Sequence, residues 1–181
     1  EMRNIFSDQT WMPRFGPINW IIEFVDIALV GLDTNVAGKA YGQVTKETLD
    51  YLQNILKSLN NKPVIVATHH PPILTGIEKM DIQNLRESRK LQKILSDYGG
   101  ELKLVCGHIH RNIVTTFGGV LCHIAPGTSH AVSLDMRQDV PNCFIKEPGA
   151  FLMHELCESI LTHTIYVGNF DGPHMFNIED R

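Results

Sequence analysis

The sequence has few of the features that mark membrane proteins, disulfide-rich secreted proteins or nucleic-acid-binding proteins. Only 8% of its 181 residues are aromatic, and polar residues interrupt its apolar runs before they reach bilayer-spanning length. Its 16 Lys and Arg against 20 Asp and Glu give a formal net charge of −4, which supplies no bulk positive charge for nucleic acid. The four cysteines lack CxxC spacing, which indicates reduced thiols. We therefore expect a cytoplasmic protein with no nucleic-acid partner and no membrane partner.

What the sequence does contain is the apolar material of an ordinary domain and many histidines. Hydrophobic residues make up 43% of the chain and the mean hydropathy is −0.07, which is sufficient for a sizeable core. Nine histidines are present, and several of them are clustered. The chain begins with Glu1 rather than with methionine, so we expect it to be a piece of a longer protein.

Short apolar runs predict four strands in the first part of the chain. Residues 20–24 and 27–32 are separated by a polar break, which predicts a hairpin or paired strands. Residues 64–67 are a continuous apolar run, which is typical of a strand buried on both faces, and residues 102–106 predict another short buried strand.

Helical spacing separates these strands. Thr45 is a suitable N-cap for a first helix with apolar positions at Leu49, Leu52, Ile55, Leu56 and Leu59. A second helix ends at Gly99-Gly100, with apolar positions at Leu85, Leu91, Ile94, Leu95 and Tyr98. The alternation of strand and helix favours an α/β layer whose sheet is at least partly parallel.

The last third of the chain predicts strands and loops instead. Residues 113–117 and 120–125 flank Gly118-Gly119, a strong hairpin signal. Residues 126–150 are loop-like, residues 151–156 and 160–167 predict two further strands, and residues 168–181 predict a tail that is poorly ordered or docked on a partner.

Two histidine segments follow two of the predicted buried strands. His69 and His70 come directly after the strand at 64–67, and His108 and His110 follow the strand at 102–106. Ligands in open α/β sheets bind beyond the carboxyl ends of strands, so neighbouring strands would bring these histidines together. In extended backbone His108 and His110 would point to the same side and serve one metal ion or two adjacent ones. Three neutral imidazoles suit zinc, iron or manganese.

Other histidines have an ordinary interpretation. A lone histidine is usually a surface residue or a hydrogen-bonded core residue, which is how we interpret His123, His154, His163 and His174. Two clusters that each adjoin a strand end are more informative, although an H-x-H pair alone is a moderate signal.

The two histidine motifs and their spacing resemble the last two metal motifs of the calcineurin-like metallophosphoesterases. The stretches at 32–34 and 126–130, with the turn at Gly42, narrow the resemblance to class III cyclic-nucleotide phosphodiesterases and related glycerophosphodiesterases. The resemblance implies half of an α/β/β/α four-layer sandwich, with a mixed sheet and flanking helices. It assigns residues 1–167 to the C-terminal part of the phosphoesterase domain and residues 168–181 to a tail.

The resemblance also implies a site with two divalent metal ions, Mn, Fe or Zn, and a small phosphodiester substrate, 3′,5′-cyclic nucleotides first. His69 and His108 would bind one ion and His110 the other. His70, His130 and Arg111 would lie near the substrate, although a solvated surface arginine is an equal alternative for Arg111. Relatives of this kind also make a homodimer a candidate assembly.

The family's upstream motifs, Asp-x-His, Gly-Asp and Gly-Asn-His-Asp/Glu, do not occur in the sequence. Two adjacent divalent ions repel each other and need a bridging carboxylate, which three imidazoles do not supply. Asp33 and Asp81 are candidates, but both have the ordinary interpretation of turn or cap residues. We therefore expect the C-terminal half of an enzyme, with no catalytic residue of its own, weak metal binding and no hydrolysis by this chain alone.

Two alternatives remain open at this point. One is a non-catalytic metal-binding or interaction module that keeps part of the site. The other is an enzyme of different substrate class, a glycerophosphodiesterase or a phosphomonoesterase.

Overall fold

The computed structural model describes residues 16–176, and its largest feature is a six-stranded mixed sheet with strand order β1-β2-β4-β6-β8-β7. Strands β2, β4, β6 and β8 run parallel to one another. The edge strands β1 and β7 pair antiparallel with β2 and β8. These strands are β1 (Trp20–Glu23), β2 (Ala28–Leu32), β4 (Val64–Thr68), β6 (Leu102–Cys106), β7 (Ile113–Phe117) and β8 (Val120–Ile124).

Three helices connect the parallel strands, and none of the described helices is long and apolar enough to cross a membrane. They are α1 (Lys46–Ser58), α2 (Glu78–Asp81) and α3 (Arg89–Ser96). The Thr45 side chain accepts a hydrogen bond from the backbone N–H of Thr48 and so caps α1, as the sequence predicted. Leu52 of α1 and Leu91 of α3 are fully buried, because both helices pack their apolar faces on the sheet.

The two faces of the sheet differ in character. Val30, Val66 and Leu104 point to the helix side, and each is fully buried in the core. Successive side chains in a strand point to opposite faces, so Lys103 of β6 and His123 of β8 lie on the other side. That side combines these polar side chains with aliphatic ones such as Ile65 and Val105, so it is less uniformly apolar than the helix side.

Three small two-stranded sheets complete the fold. They are formed by β3 (Gly42–Gln43) with β5 (Leu85–Arg86), β9 (Ala131–Val132) with β10 (Phe144–Ile145), and β11 (Ala150–Leu156) with β12 (Ile160–Tyr166). The β11–β12 hairpin lies against the face of the main sheet that carries Lys103, where Lys103 Nζ donates to the Ile160 carbonyl and Asn112 Nδ2 donates to Thr164 Oγ1.

The predicted mixed sheet with flanking helices is confirmed, and so are the first helix and the hairpin around Gly118-Gly119. Two predictions about secondary structure were partly wrong. Leu85 lies in β5 rather than in the second helix, which begins four residues later at Arg89. The predicted loop at 126–150 contains the short strands β9 and β10. Residues 168–176 form no helix or strand, whereas the last five residues of the predicted tail lie outside the described part of the chain.

Candidate metal centre

The two histidine segments meet at one end of the sheet because β4 and β6 are adjacent parallel strands. Thr68 and Cys106 are register partners at the carboxyl ends of these strands. One residue further on, the Gly107 backbone N–H donates to the His69 carbonyl at 3.0 Å. The expected convergence of the two loops is therefore confirmed.

His69, His70 and His108 form what we call the three-histidine cluster. Nε2 of His69 lies 3.2 Å from Nδ1 of His108, and one ring nitrogen from each of the three residues lies within 4.8 Å of the others. The His70 ring contacts both others, with ring centroids 4.8 Å from His69 and 4.9 Å from His108. Two nitrogens bound tetrahedrally to zinc at about 2.0–2.1 Å would stand roughly 3.3 Å apart, close to the separation seen here.

The His108–His110 segment is not extended, which corrects the prediction that both rings share one side. His108 has φ of 71° and His110 has φ of 57°, values in the left-handed region that residues with a Cβ adopt infrequently. Ile109 between them is fully buried and anchors the turn. As a result the His108 ring contacts His69, whereas Nδ1 of His110 lies 3.2 Å from Nε2 of His130.

His70 is held from the opposite side by the loop after β2. Its Nδ1 is hydrogen-bonded to the Thr34 hydroxyl at 2.8 Å, and both side chains are buried, at 5% and 1% exposure. Gly42 allows this approach, because a Cβ there would lie only 2.4 Å from the His70 ring. A position near the substrate for His70 stays a prediction. The sequence reasoning did not identify Thr34 as its partner, although Thr34 lies only two residues after the predicted strand end.

The cluster favours neutral imidazoles. Burial, with the nearby rings of His70, His69 and His110, lowers the pKa of His108 to about 4. Burial also lowers the pKa of His69 and of His70, and the neighbouring imidazoles add to the effect. Near pH 7 the ring nitrogens therefore have lone pairs available for a metal ion.

One buried polar atom in the cluster lacks a partner within the described part of the chain. Nε2 of His108 is buried and makes no hydrogen bond. A buried orphan nitrogen beside converging imidazoles fits a site completed by further groups. The donor set, three nitrogens of intermediate softness, suits first-row metals such as zinc, iron or manganese.

No carboxylate joins the three-histidine cluster among residues 16–176. Asp33 accepts hydrogen bonds from the backbone N–H groups of Ile18 and Asn35, and Asp81 accepts from those of Thr75 and Gly76. Both carboxylates thus act as turn and cap residues, as their ordinary interpretation predicted.

A second group of side chains lies around His110 and His130 and borders a cavity of about 520 Å³. Ser129 Oγ lies 3.0 Å from Nδ1 of His130. Arg111 also lines this cavity, but its guanidinium donates to the Val132 carbonyl at 2.8 Å and pairs with Glu147 at 3.2 Å. Its positive charge is therefore partly neutralised by Glu147, a partner that sequence spacing did not reveal.

The chain is similar over most of its length to known phosphodiesterases. It is 36% identical over 97% of its length to a GpdQ protein of Arcobacter nitrofigilis, of which it spans 65%. It is 24% identical to the glycerophosphodiester phosphodiesterase GpdQ of Enterobacter lignolyticus and to a cAMP/cGMP dual specificity phosphodiesterase of Mycobacterium tuberculosis, with 82% and 93% of the chain aligned. The chain spans 54% and 52% of these two relatives, so it corresponds to about half of their length.

Solved structures of related shape agree on the fold. A structure of GAP50, the anchor in the inner membrane complex of Plasmodium, matches with TM-score 0.59 and 16% identity, over 94% of this chain and 57% of that one. A dimetal phosphatase from Danio rerio matches with TM-score 0.52 and 12% identity, over 84% and 61%. No family model matches the chain.

These comparisons confirm the resemblance on which the sequence interpretation depended. The class defined by the mixed sheet and the histidine loops is the metallophosphoesterase fold. The proteins that the chain is similar to are bacterial glycerophosphodiester and cyclic-nucleotide phosphodiesterases, in agreement with a calcineurin-like metallophosphoesterase.

Proposed function

We propose that this chain supplies the histidine half of a divalent-metal centre that hydrolyses small phosphodiesters. The observation that carries the proposal is the 3.2 Å approach of Nε2 of His69 to Nδ1 of His108 at the ends of adjacent parallel strands. Two neutral imidazoles at this distance share an N–H···N hydrogen bond, which a metal ion would replace once both nitrogens present their lone pairs to it.

Each histidine has a separate task under this proposal. His69 and His108 would hold one ion through the facing nitrogens, and His110 would hold a second ion. His70 would fix the two rings through edge contacts, with Thr34 setting its orientation. The metal ions, when bound, would polarise the phosphoryl oxygens and lower the pKa of a bound water.

The charge of the site decides what this chain does alone. Three neutral imidazoles offset none of the repulsion between two divalent ions, and the described carboxylates Asp33 and Asp81 are occupied by backbone N–H groups. We therefore expect the 181-residue chain to bind metal weakly and to lack turnover, and the complete centre to need carboxylates from outside the described residues.

Loss of one imidazole should strongly reduce the metal affinity of the chain. In His108→Ala, zinc or manganese bound after equilibrium dialysis should fall at least about tenfold, because one of two converging nitrogens is gone. The matched control is His163→Ala, which removes an exposed histidine from the outer face of β12 and should leave metal content unchanged. Equal metal content in His108→Ala and wild type, measured by elemental analysis, would remove His108 from the ligand set.

Substrate class is a second measurable point. We expect phosphodiester substrates, with cyclic nucleotides and glycerophosphodiesters as the two candidates. The 36% identity to the GpdQ protein supports glycerophosphodiesters, whereas the resemblance based on the stretches at 32–34 and 126–130 includes both cyclic-nucleotide phosphodiesterases and glycerophosphodiesterases. A protein that carries this sequence together with the upstream motifs should be assayed with manganese on cyclic AMP, glycerophosphodiesters and an aryl phosphate monoester. Preference for the monoester would overturn the diesterase proposal, and robust turnover by the 181-residue chain alone would overturn the expectation of an incomplete centre.

A further inference from the structure

The turn at 126–130 lies unusually close to His110. The Gly127 backbone N–H donates to the His110 carbonyl at 3.0 Å. A Cβ on Gly127 would lie 2.3 Å from the His130 carbonyl oxygen and 2.9 Å from Cβ of His110, so no larger residue fits. Glycine at position 127 therefore allows the backbone of the turn to approach His110 closely. In this arrangement the rings of His130 and His110 are in contact, with centroids 4.6 Å apart.

A continuous hydrogen-bond chain runs through this contact. Ser129 Oγ lies 3.0 Å from Nδ1 of His130, and Nε2 of His130 lies 3.2 Å from Nδ1 of His110. The Phe144 ring packs edge-on against His130 with centroids 5.4 Å apart, which restrains the imidazole in this orientation.

Proton counting leaves two arrangements for this chain. A neutral imidazole has one N–H, so each ring donates through one nitrogen and accepts through the other. If His110 donates from Nδ1 to His130, then His130 donates from Nδ1 to the Ser129 oxygen, and Nε2 of His110 has a free lone pair. If the direction is reversed, Nε2 of His110 carries a proton and is unable to bind a metal ion.

The surroundings of His110 favour the first arrangement. Among residues 16–176, the His110 ring makes its hydrogen bond through Nδ1, and no side chain or carbonyl accepts a proton from its Nε2. His110 is also an electrostatic neighbour of His69 and His108, since it contributes to their lowered pKa values. Its ring therefore lies beside the three-histidine cluster.

We propose that Ser129 and His130 are positioning residues that hold His110 as its Nδ1–H tautomer, so that Nε2 of His110 faces the metal centre as a ligand. This inference rests on the proposed function, and it gives His130 a role different from the substrate contact that the sequence suggested. Metal-bound histidines generally donate their second ring N–H to a neighbouring acceptor, and loss of that acceptor costs about 10- to 100-fold in metal affinity.

The tautomer is measurable without any metal or substrate. Long-range proton–nitrogen correlation spectra of the nitrogen-labelled chain at about pH 7.5 should report His110 as the Nδ1–H tautomer. In His130→Phe, which keeps a ring but removes the acceptor, His110 should revert to the Nε2–H tautomer that neutral histidine favours in water. In His130→Gln, whose amide oxygen accepts a hydrogen bond, the Nδ1–H tautomer should persist. His163→Phe serves as the matched control and should leave His110 unchanged.

A second measurement separates this proposal from the proposed function. Cadmium NMR of the chain should show coupling of the ion to Nε2 of His110, with affinity about 10- to 100-fold lower in His130→Phe than in His130→Gln. A wild-type His110 in the Nε2–H form, or coupling of cadmium to Nε2 of His130, would overturn the positioning role. If the tautomer results hold but His69 and His108 show no cadmium coupling, the proposed metal centre fails while the hydrogen-bond chain stands.

Discussion

At the scale of single residues, the site depends on side chains whose surroundings leave little freedom. His70 is enclosed between the Thr34 hydroxyl, the rings of His69 and His108 and the backbone of Gly42. A buried hydrogen bond of this kind contributes about 1 kcal/mol net, but an unpaired buried partner costs about 1–3 kcal/mol. The orientation of His70 is therefore determined by Thr34 as much as by its own loop.

Thr34→Val tests this dependence directly. The substitution keeps the shape of the side chain but leaves Nδ1 of His70 buried without its partner, so the free energy of unfolding should fall by about 1–3 kcal/mol. Urea denaturation followed by circular dichroism measures the change. Thr116→Val, at an exposed position of β7, is the control and should change stability by less than about 0.5 kcal/mol. Indistinguishable stability of Thr34→Val and wild type would mean that the hydrogen bond contributes nothing.

At the scale of elements, the β11–β12 hairpin contacts the main sheet through several polar side chains, beside its buried apolar residues Ala150 and Ile160. Lys103 Nζ lies near Thr162 Oγ1 at 3.3 Å, and Nδ1 of His154 lies 3.0 Å from the same hydroxyl. His123 is hydrogen-bonded to Asn112 at 2.6 Å, and Asn112 in turn contacts Thr164. Burial and the positive charge of Lys103 lower the pKa of both His123 and His154.

This arrangement predicts that the hairpin loosens in acid. Because the folded pKa values of His123 and His154 lie below the ordinary value of 6.5, their contribution to stability is complete above that pH and is lost as the pH falls below it. Hydrogen exchange of residues 150–166, corrected for intrinsic rates, should therefore be faster at about pH 5 than at about pH 7. Lys103 is the charged neighbour of both histidines, and Glu101, which precedes β6, accepts a hydrogen bond from the Ile160 N–H of the hairpin.

A double variant supplies the control for the acid effect. His123→Gln with His154→Gln keeps hydrogen-bonding side chains but removes both titrating groups, so the difference in exchange between the two pH values should shrink. An undiminished difference in the double variant would assign the effect to other groups.

At the scale of the whole molecule, the described chain exposes apolar side chains on strand surfaces. Phe151, Met153 and Leu161 lie on the outer face of the β11–β12 hairpin with 45%, 46% and 42% exposure. Trp20 and Ile22 are exposed on the edge strand β1 at 41% and 50%. Contiguous exposed apolar surface and an unpaired strand edge both favour association.

We therefore predict self-association of this chain through its strand surfaces. Multi-angle light scattering should show an apparent mass that rises with concentration above the 20.4 kDa of one chain. Met153→Lys with Leu161→Lys places two like charges on the outer face of the hairpin and should shift the equilibrium toward monomer. A wild-type chain that stays at one-chain mass at all concentrations would contradict the prediction, and with it the homodimer considered from the resemblance.

The local patterns of the sequence determined most of the secondary structure and the location of the site. The Leu repeat after Thr45, the run at 64–67 and the Gly118-Gly119 turn each depend on neighbouring residues, which is why they were predicted correctly. The placement of His69 opposite His108 followed from strand order as well, because adjacent parallel strands deliver their following residues to one edge.

Contacts between distant segments were decided only by the tertiary structure. The positive φ values of His108 and His110 send their rings to different partners, although a two-residue spacing alone indicates one shared side. The pairing of Thr34 with His70, of Glu147 with Arg111 and of His130 with His110 joins residues separated by 36, 36 and 20 positions. Periodicity depends on residues that are close together in the sequence, so it is visible in the sequence alone. The pairings listed above depend on how loops pack once the sheet has formed. The histidine motifs were therefore predictable from the sequence, whereas the partner of each histidine was not.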